Sequence, residues 1–136
     1  MLAEIEQAIA TQLATLEDLD CRVLNSPNPG RPNMKAELLI FYSGRSLVQS
    51  GGGRQRQYNL QFTCNIFVKD LRSHHVAYPI LERAAELLDG FRPLGPEQGR
   101  LTLQGEDYQI VETSQGFRWH YEQSFSMSAL WAARQQ

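Results

Sequence analysis

Cysteine is scarce in this chain: Cys21 and Cys64 are the only two among 136 residues. Two thiols so far apart do not spell a disulfide framework, and a reducing, cytoplasmic site of synthesis is the simpler expectation. An excess of one charge is missing as well. Thirteen Lys and Arg stand against fifteen Asp and Glu, a formal net charge of −2. That balance gives no electrostatic reason to expect a nucleic acid or a membrane surface as the principal partner. No apolar run approaches the ~20 residues that span a bilayer. Residues 1–19 carry Glu4, Glu6, Glu17 and Asp18 and no basic residue, so a signal peptide is not expected there. The apolar fraction of 42% is ordinary, which sets aside disordered and collagen-like classes. One domain of this length is enough to bury a core without staples.

Catalytic patterns are also missing. Gly51, Gly52 and Gly53 lack the following Lys-Ser/Thr of a phosphate loop and do not open a helix,. His74 and His75 are neighbours, and neighbours on a helix do not face one metal. Glu106 and Asp107 follow Gly105, where turn chemistry accounts for them. Cys21 has nothing nearby to depress its pKa. The expectation is therefore a protein with no catalytic residues, no metal ligands and no cofactor, and not an enzyme.

What the chain has in abundance is alternation. Tyr58, Leu60, Phe62, Cys64, Ile66 and Val68 are apolar, and Asn59, Gln61, Thr63, Asn65 and Lys69 intervene; only Phe67 breaks the pattern. Further on, Trp119, Tyr121, Phe125, Met127, Ala129 and Trp131 share one face, and Arg118, His120, Glu122, Ser124, Ser126 and Ser128 share the other. Period-two patterns of this length predict half-buried antiparallel strands with one face presented outward. A small domain built on such strands reads as an interaction module.

The remaining elements follow from period and punctuation. Leu2, Ile5, Ile9, Leu13, Leu16 and Leu19 recur at three and four, predicting a first helix,. Residues 21–24 suit a short strand, and Pro27, Pro29, Gly30 and Pro32 a loop,. Residues 37–42 suit a buried strand. A second helix is predicted over 75–89, with Ser73 as N-cap, Gly90 ending it, and a start as late as Tyr78 because of Pro79,. Two shorter strands, 100–104 and 108–113, flank the expected turn at 105–107, and a turn at Gln115 and Gly116 leads into the last strand. The predicted fold is α+β: an antiparallel or mixed sheet with two main helices packed on one face, in the order α-β-β-α-β-β.

One stretch stands apart. Residues 43–57 hold Gly44, Gly51, Gly52 and Gly53 beside Arg45, Arg54 and Arg56, with no acidic residue. The expectation is a flexible loop, either solvated or acting as a contact arm that meets a partner or lines a pore. Arg118, His120 and Glu122, on the outward face of the last strand, are the second candidate contact group.

Several segments together, MLAEIEQAIATQL, AELLIFYSG, NLQFTCNIFVKDLRS, YPILERAAELLDGF and FRWHYEQSFSMSALW, resemble the Mu-like prophage tail proteins. Those proteins are similar in layout to phage tail terminators, and the resemblance extends over nearly the whole chain in pattern and element order. It implies a ring of identical subunits, usually a hexamer, that caps the tail tube, ends its polymerisation and offers the surface for joining head or neck. The implied partners are other copies of the chain, the tail tube, the sheath protein and a neck or head-completion protein, with DNA only passing through the pore. The implied place is the virion tail, assembled in the bacterial cytoplasm. Placed by position, residues 43–57, with Arg45, Arg54 and Arg56, become the candidate pore or interface loop. Arg118, His120 and Glu122 become candidate subunit contacts. The alternatives are a neck or head-tail connector and, from a different class, a nucleic-acid-binding accessory protein using the three arginines.

Overall fold

The computed structural model describes residues 1–26, 34–50, 55–69, 74–113 and 116–132. The expected Pro-rich loop, Ser73, Arg54 with the three glycines beside it, and Gln115 lie outside the described residues. Helix α1 (Leu2–Leu13) carries Ile5, Ile9 and Leu13 four residues apart, and all three are fully buried. The sequence pattern predicts that the helix runs on to Leu19. Instead the chain tightens into a 3-10 helix from Ala14 to Leu19. The apolar spacing explains the change: Leu13, Leu16 and Leu19 are three apart, the period of a 3-10 turn. Asp20 then takes a left-handed conformation, φ 60°, which Asp tolerates better than most residues. Its carboxylate accepts from the Lys35 N–H at 3.2 Å, and its carbonyl accepts from the Ala36 N–H.

Five strands follow: β1 (Cys21–Val23), β2 (Ala36–Ser50), β3 (Gln55–Val68), and, after helix α2 (Tyr78–Leu88), β4 (Thr102–Thr113) and β5 (Gly116–Ala132). They form one mixed sheet in the order β1-β2-β3-β5-β4. Every pairing is antiparallel except β1 with β2. Of the two expected kinds of sheet, antiparallel or mixed, the mixed one is found, and β1 is what makes it so. About a dozen residues separate β1 from β2, the length a parallel crossover needs. β1 is the short strand expected over 21–24; with it counted, the order has one strand more than the α-β-β-α-β-β summary.

Helix α2 begins at Tyr78, the later of the two expected starts, after a short 3-10 turn from His74 to Val76. Pro79 sits in its first turn, where a missing N–H leaves no helical bond unmade,. Gly90, φ 88°, ends it and donates to the Leu101 carbonyl at 2.7 Å.

The two predicted strands around residues 105–107 are one continuous strand, β4. A register shift between Leu103 and Gly105 absorbs the extra residue as a bulge, so the glycine and carboxylates stay in the ladder,. The loop predicted over 43–57 is likewise mostly strand: β2 and β3 remain paired out to Ser50 and Arg56. Two register shifts, at Tyr42/Gly44 and Leu47/Gln49, accommodate the irregular sequence, and Gly44 supplies φ 147° at the first,.

Both helices cover one face of the sheet. Ile5, Ile9, Ile80 and Ala84 meet Leu38 and Ile40 of β2, Leu60 to Val68 of β3 at every second residue, and Tyr121, Phe125 and Met127 of β5 in one apolar cluster. Phe62 and Phe125, directly opposed in register, form its centre. Each such fully buried side chain contributes about 1.5–3 kcal/mol. Gln123 interrupts this apolar row. It is fully buried, and its amide donates to the Leu81 carbonyl at 2.9 Å and to the Glu106 carboxylate at 2.7 Å.

Candidate interaction surfaces of the sheet

The helix-free face carries a connected set of polar side chains across all five strands. Phe67, the residue that breaks the alternation of β3, is its platform. In register it lies between Glu37 of β2 and His120 of β5. The His120 ring stacks on Phe67 with centroids 4.4 Å apart and planes 15° from parallel. The Arg118 guanidinium lies over the same ring at 5.5 Å, a favourable cation–π arrangement, and reaches Glu37 at 2.9 Å. Arg22 of β1 approaches the same carboxylate at 3.7 Å. Glu37 therefore ties β1, β2 and β5 together over β3, where no helix does so.

His120 is 9% exposed although it faces the helix-free side. Asn65 donates to the Leu39 carbonyl at 3.4 Å, which turns its side-chain oxygen toward His120 Nε2 at 2.8 Å. The Gln109 amide meets Nδ1 at 3.1 Å. A chain of donors from Gln109 to His120 to Asn65 to Leu39 satisfies every group when the ring carries its hydrogen on Nε2. Glu122 lies 3.7 Å from Nε2 and is about half exposed. Beside it Asp107, Tyr108 and Gln109 complete a recess of about 60 Å³. The outward direction expected of Arg118, His120 and Glu122 is correct, but the first two are engaged within the chain and only Glu122 is well exposed.

Arg45 and Arg56 lie far from this group, on the outer part of the β2–β3 hairpin, and both are exposed. Arg45 sits over the Tyr58 ring at 4.9 Å, on the helix side of the sheet, because its register partner is Leu60. This outer part outruns the helices: β2 beyond Tyr42 and β3 before Leu60 contribute no buried side chain among those described. Leu47 and Val48 are 51% and 54% exposed there. We call this projection the arm.

At the opposite edge of the sheet, β4 is exposed on both faces. Among its described side chains only Leu103 is half-buried. Tyr108 and Ile110 point to the helix side, opposite Tyr121 and Trp119, yet are 57% and 54% exposed. The sequence reading missed this surface because it placed Glu106 and Asp107 in a turn. Tyr108, Gln109 and Ile110, apolar-polar-apolar and followed by the β-branched Val111, were the available signal,.

Burial pushes the Cys21 and Cys64 thiols up to about 12, Cys21 despite the nearby Lys35 charge. This is the reverse of an activated thiolate. Burial also pushes the Tyr121 phenol up to about 12, with the neighbouring Tyr78, Glu106 and Tyr108 adding to the shift. Among the described residues no group of three His, Cys, Asp or Glu is placed to hold a metal ion, and no helix is long and apolar enough to cross a membrane.

No family model matches the chain, and no characterised protein matches it.

Proposed function

We propose that the protein is a structural subunit of a phage tail or phage-tail-like particle. It forms a homo-oligomeric ring, a hexamer in the expected case, on the end of the tail tube. There it ends tube polymerisation and offers the surface to which head or neck joins. One observation carries the reading: much of the sheet is built for contact outside the molecule. The arm outruns the helix layer, and β4 lies exposed on both faces at the edge of the sheet. An exposed strand edge is a hazard that isolated domains blunt and assembling ones use. The apolar and charged side chains on these two projections give such contacts both area and register. The choice of assembly is supported by the resemblance of the segments quoted above to the tail proteins.

The test is electron microscopy of particles produced without this gene. The reading predicts tubes that overrun their normal length, or finished tails unjoined to heads. Normal tails joined to normal heads would sink it. Tails of normal length that lack only heads would move the protein to the neck, as a connector.

A further inference from the structure

The two projections carry opposite charge. Arg45, Arg54 and Arg56 are the only charged residues between positions 43 and 57, and Glu106, Asp107 and Glu112 are the only ones in β4. Among the described residues the arm thus presents Arg45 on β2 and Arg56 on the adjoining β3, while β4 at the other side of the same sheet bears three negative charges. Both edges lack a strand partner among the described residues. Strand β1 pairs β2 only from Ala36 to Leu38, and the Asn25 side chain occupies the next position, at Ile40. From Phe41 outward the arm has no described neighbour on that side. Strand β4 ends the sheet.

Geometry adds to the charge. Three antiparallel pairings separate β2 from β4, so the two edges run in opposite directions. Registers place Glu106 level with Ile40, so two copies in the same orientation, offset along the strands until the arm of one lies beside β4 of the next, bring antiparallel edges together, the more stable pairing. Apolar groups match as well. Arg45 and Leu47 on the arm, and Glu106, Tyr108 and Ile110 on β4, all lie on the helix side of the sheet.

We propose that the arm of one copy binds the β4 edge of the next, with Arg45 and Arg56 set against Glu106 and Glu112, which share their face of the sheet, and Leu47 and Val48 against Tyr108 and Ile110. The occupant of each edge is a second copy of this chain. The two patches differ, so the contact is heterologous and propagates head to tail into a ring or a filament. A nucleic acid could engage the arm alone and would leave the acidic edge unused. The inference rests on the ring reading and specifies its interface.

Two charge-reversed variants of the full chain test it: Arg45→Glu with Arg56→Glu, and Glu112→Lys. All of these side chains are exposed, and a thermal melt of each variant verifies folding. Sedimentation in about 0.01 M salt, where charges act over about 30 Å, is expected to show association of the wild type that weakens as salt rises. Each variant alone should associate at least about tenfold more weakly. An equimolar mixture should recover association, because the reversed arm then meets the reversed edge and the native arm meets the native edge. Failure of the mixture to recover overturns the interface, as does a wild type that stays monomeric at about 1 mM, a concentration that reveals contacts of even about 4 kcal/mol. DNA binding by the arm without self-association overturns it too. Variants that still cap tail tubes remove only this interface, whereas a wild type that never caps tubes removes the ring reading itself.

Discussion

Replacing Glu37 with alanine is expected to destabilise the fold by about 2 kcal/mol. Its side chain is only 18% exposed and lies between Arg118 at 2.9 Å and Arg22 at 3.7 Å. A fully exposed pair contributes at most about 1 kcal/mol, and breaking a buried one costs about 3–5 kcal/mol. The arginines are a quarter to a third exposed, which places this group between the two limits. Removing the carboxylate also leaves two guanidinium groups converging on one another, and Arg22 Nε is already buried without a hydrogen-bond partner. For a chain of this size, about 3–4 °C per kcal/mol translates the loss into a fall in Tm of about 7 °C. Glu37→Gln keeps the shape and one acceptor for Arg118, so about half the loss is expected. Thermal and urea unfolding of the wild type, Glu37→Ala, Arg118→Met and the double variant would measure the coupling, expected at about 1 kcal/mol or more. A Glu37→Ala variant within about 0.5 kcal/mol of the wild type, or additive single effects, would refute the bracing of the helix-free face.

Two further outcomes follow from buried groups. The Cys21, Cys64 and Tyr121 side chains are held protonated, each pushed up to about 12 from 9.0 or 10.0; their contribution to stability is complete below the unfolded values and is lost as pH rises from there toward 12. Urea midpoints should therefore be flat up to about pH 9 and fall beyond it, and a maleimide should label neither thiol until the chain unfolds; rapid labelling of the native chain would contradict the burial. At Gly99 a Cβ would collide with the Ser128 carbonyl oxygen of β5, so Gly99→Ala must push the loop off the strand at about 1–3 kcal/mol, and an unchanged Tm would contradict that close approach.

The parts of this fold that were legible in the sequence are those set by a single period. Alternation from Tyr58 to Val68 reports a strand that is covered by helices on one face and open on the other. The spacing of four from Ile5 to Leu13 reports α1. Misreadings arose where local chemistry and tertiary pairing disagree. Gly105, Glu106 and Asp107 have turn chemistry, but a bulge beside β5 keeps them in the ladder,. Gly44 and the arginines near it have loop chemistry, yet β2 pairs β3 through two register shifts. Parallel pairing of β1 was not legible because it depends on the left-handed turn at Asp20 and the crossover after it. The outward direction of Arg118 and His120 was legible from parity. Their engagement was not, since it depends on Glu37, Asn65 and Gln109, which only the folded sheet brings beside them. Phe67 was the available clue: an aromatic residue at a polar-face position marks a platform for its neighbours.

The most direct measurement of the central claim is cryo-electron microscopy of the purified chain mixed with growing tail tubes. The ring reading predicts added density at the head-facing end of each tube, with cyclic symmetry matching the tube, and arrested elongation at that end. Tubes that continue to grow with bare ends, at concentrations where the chain is in large excess, would contradict it.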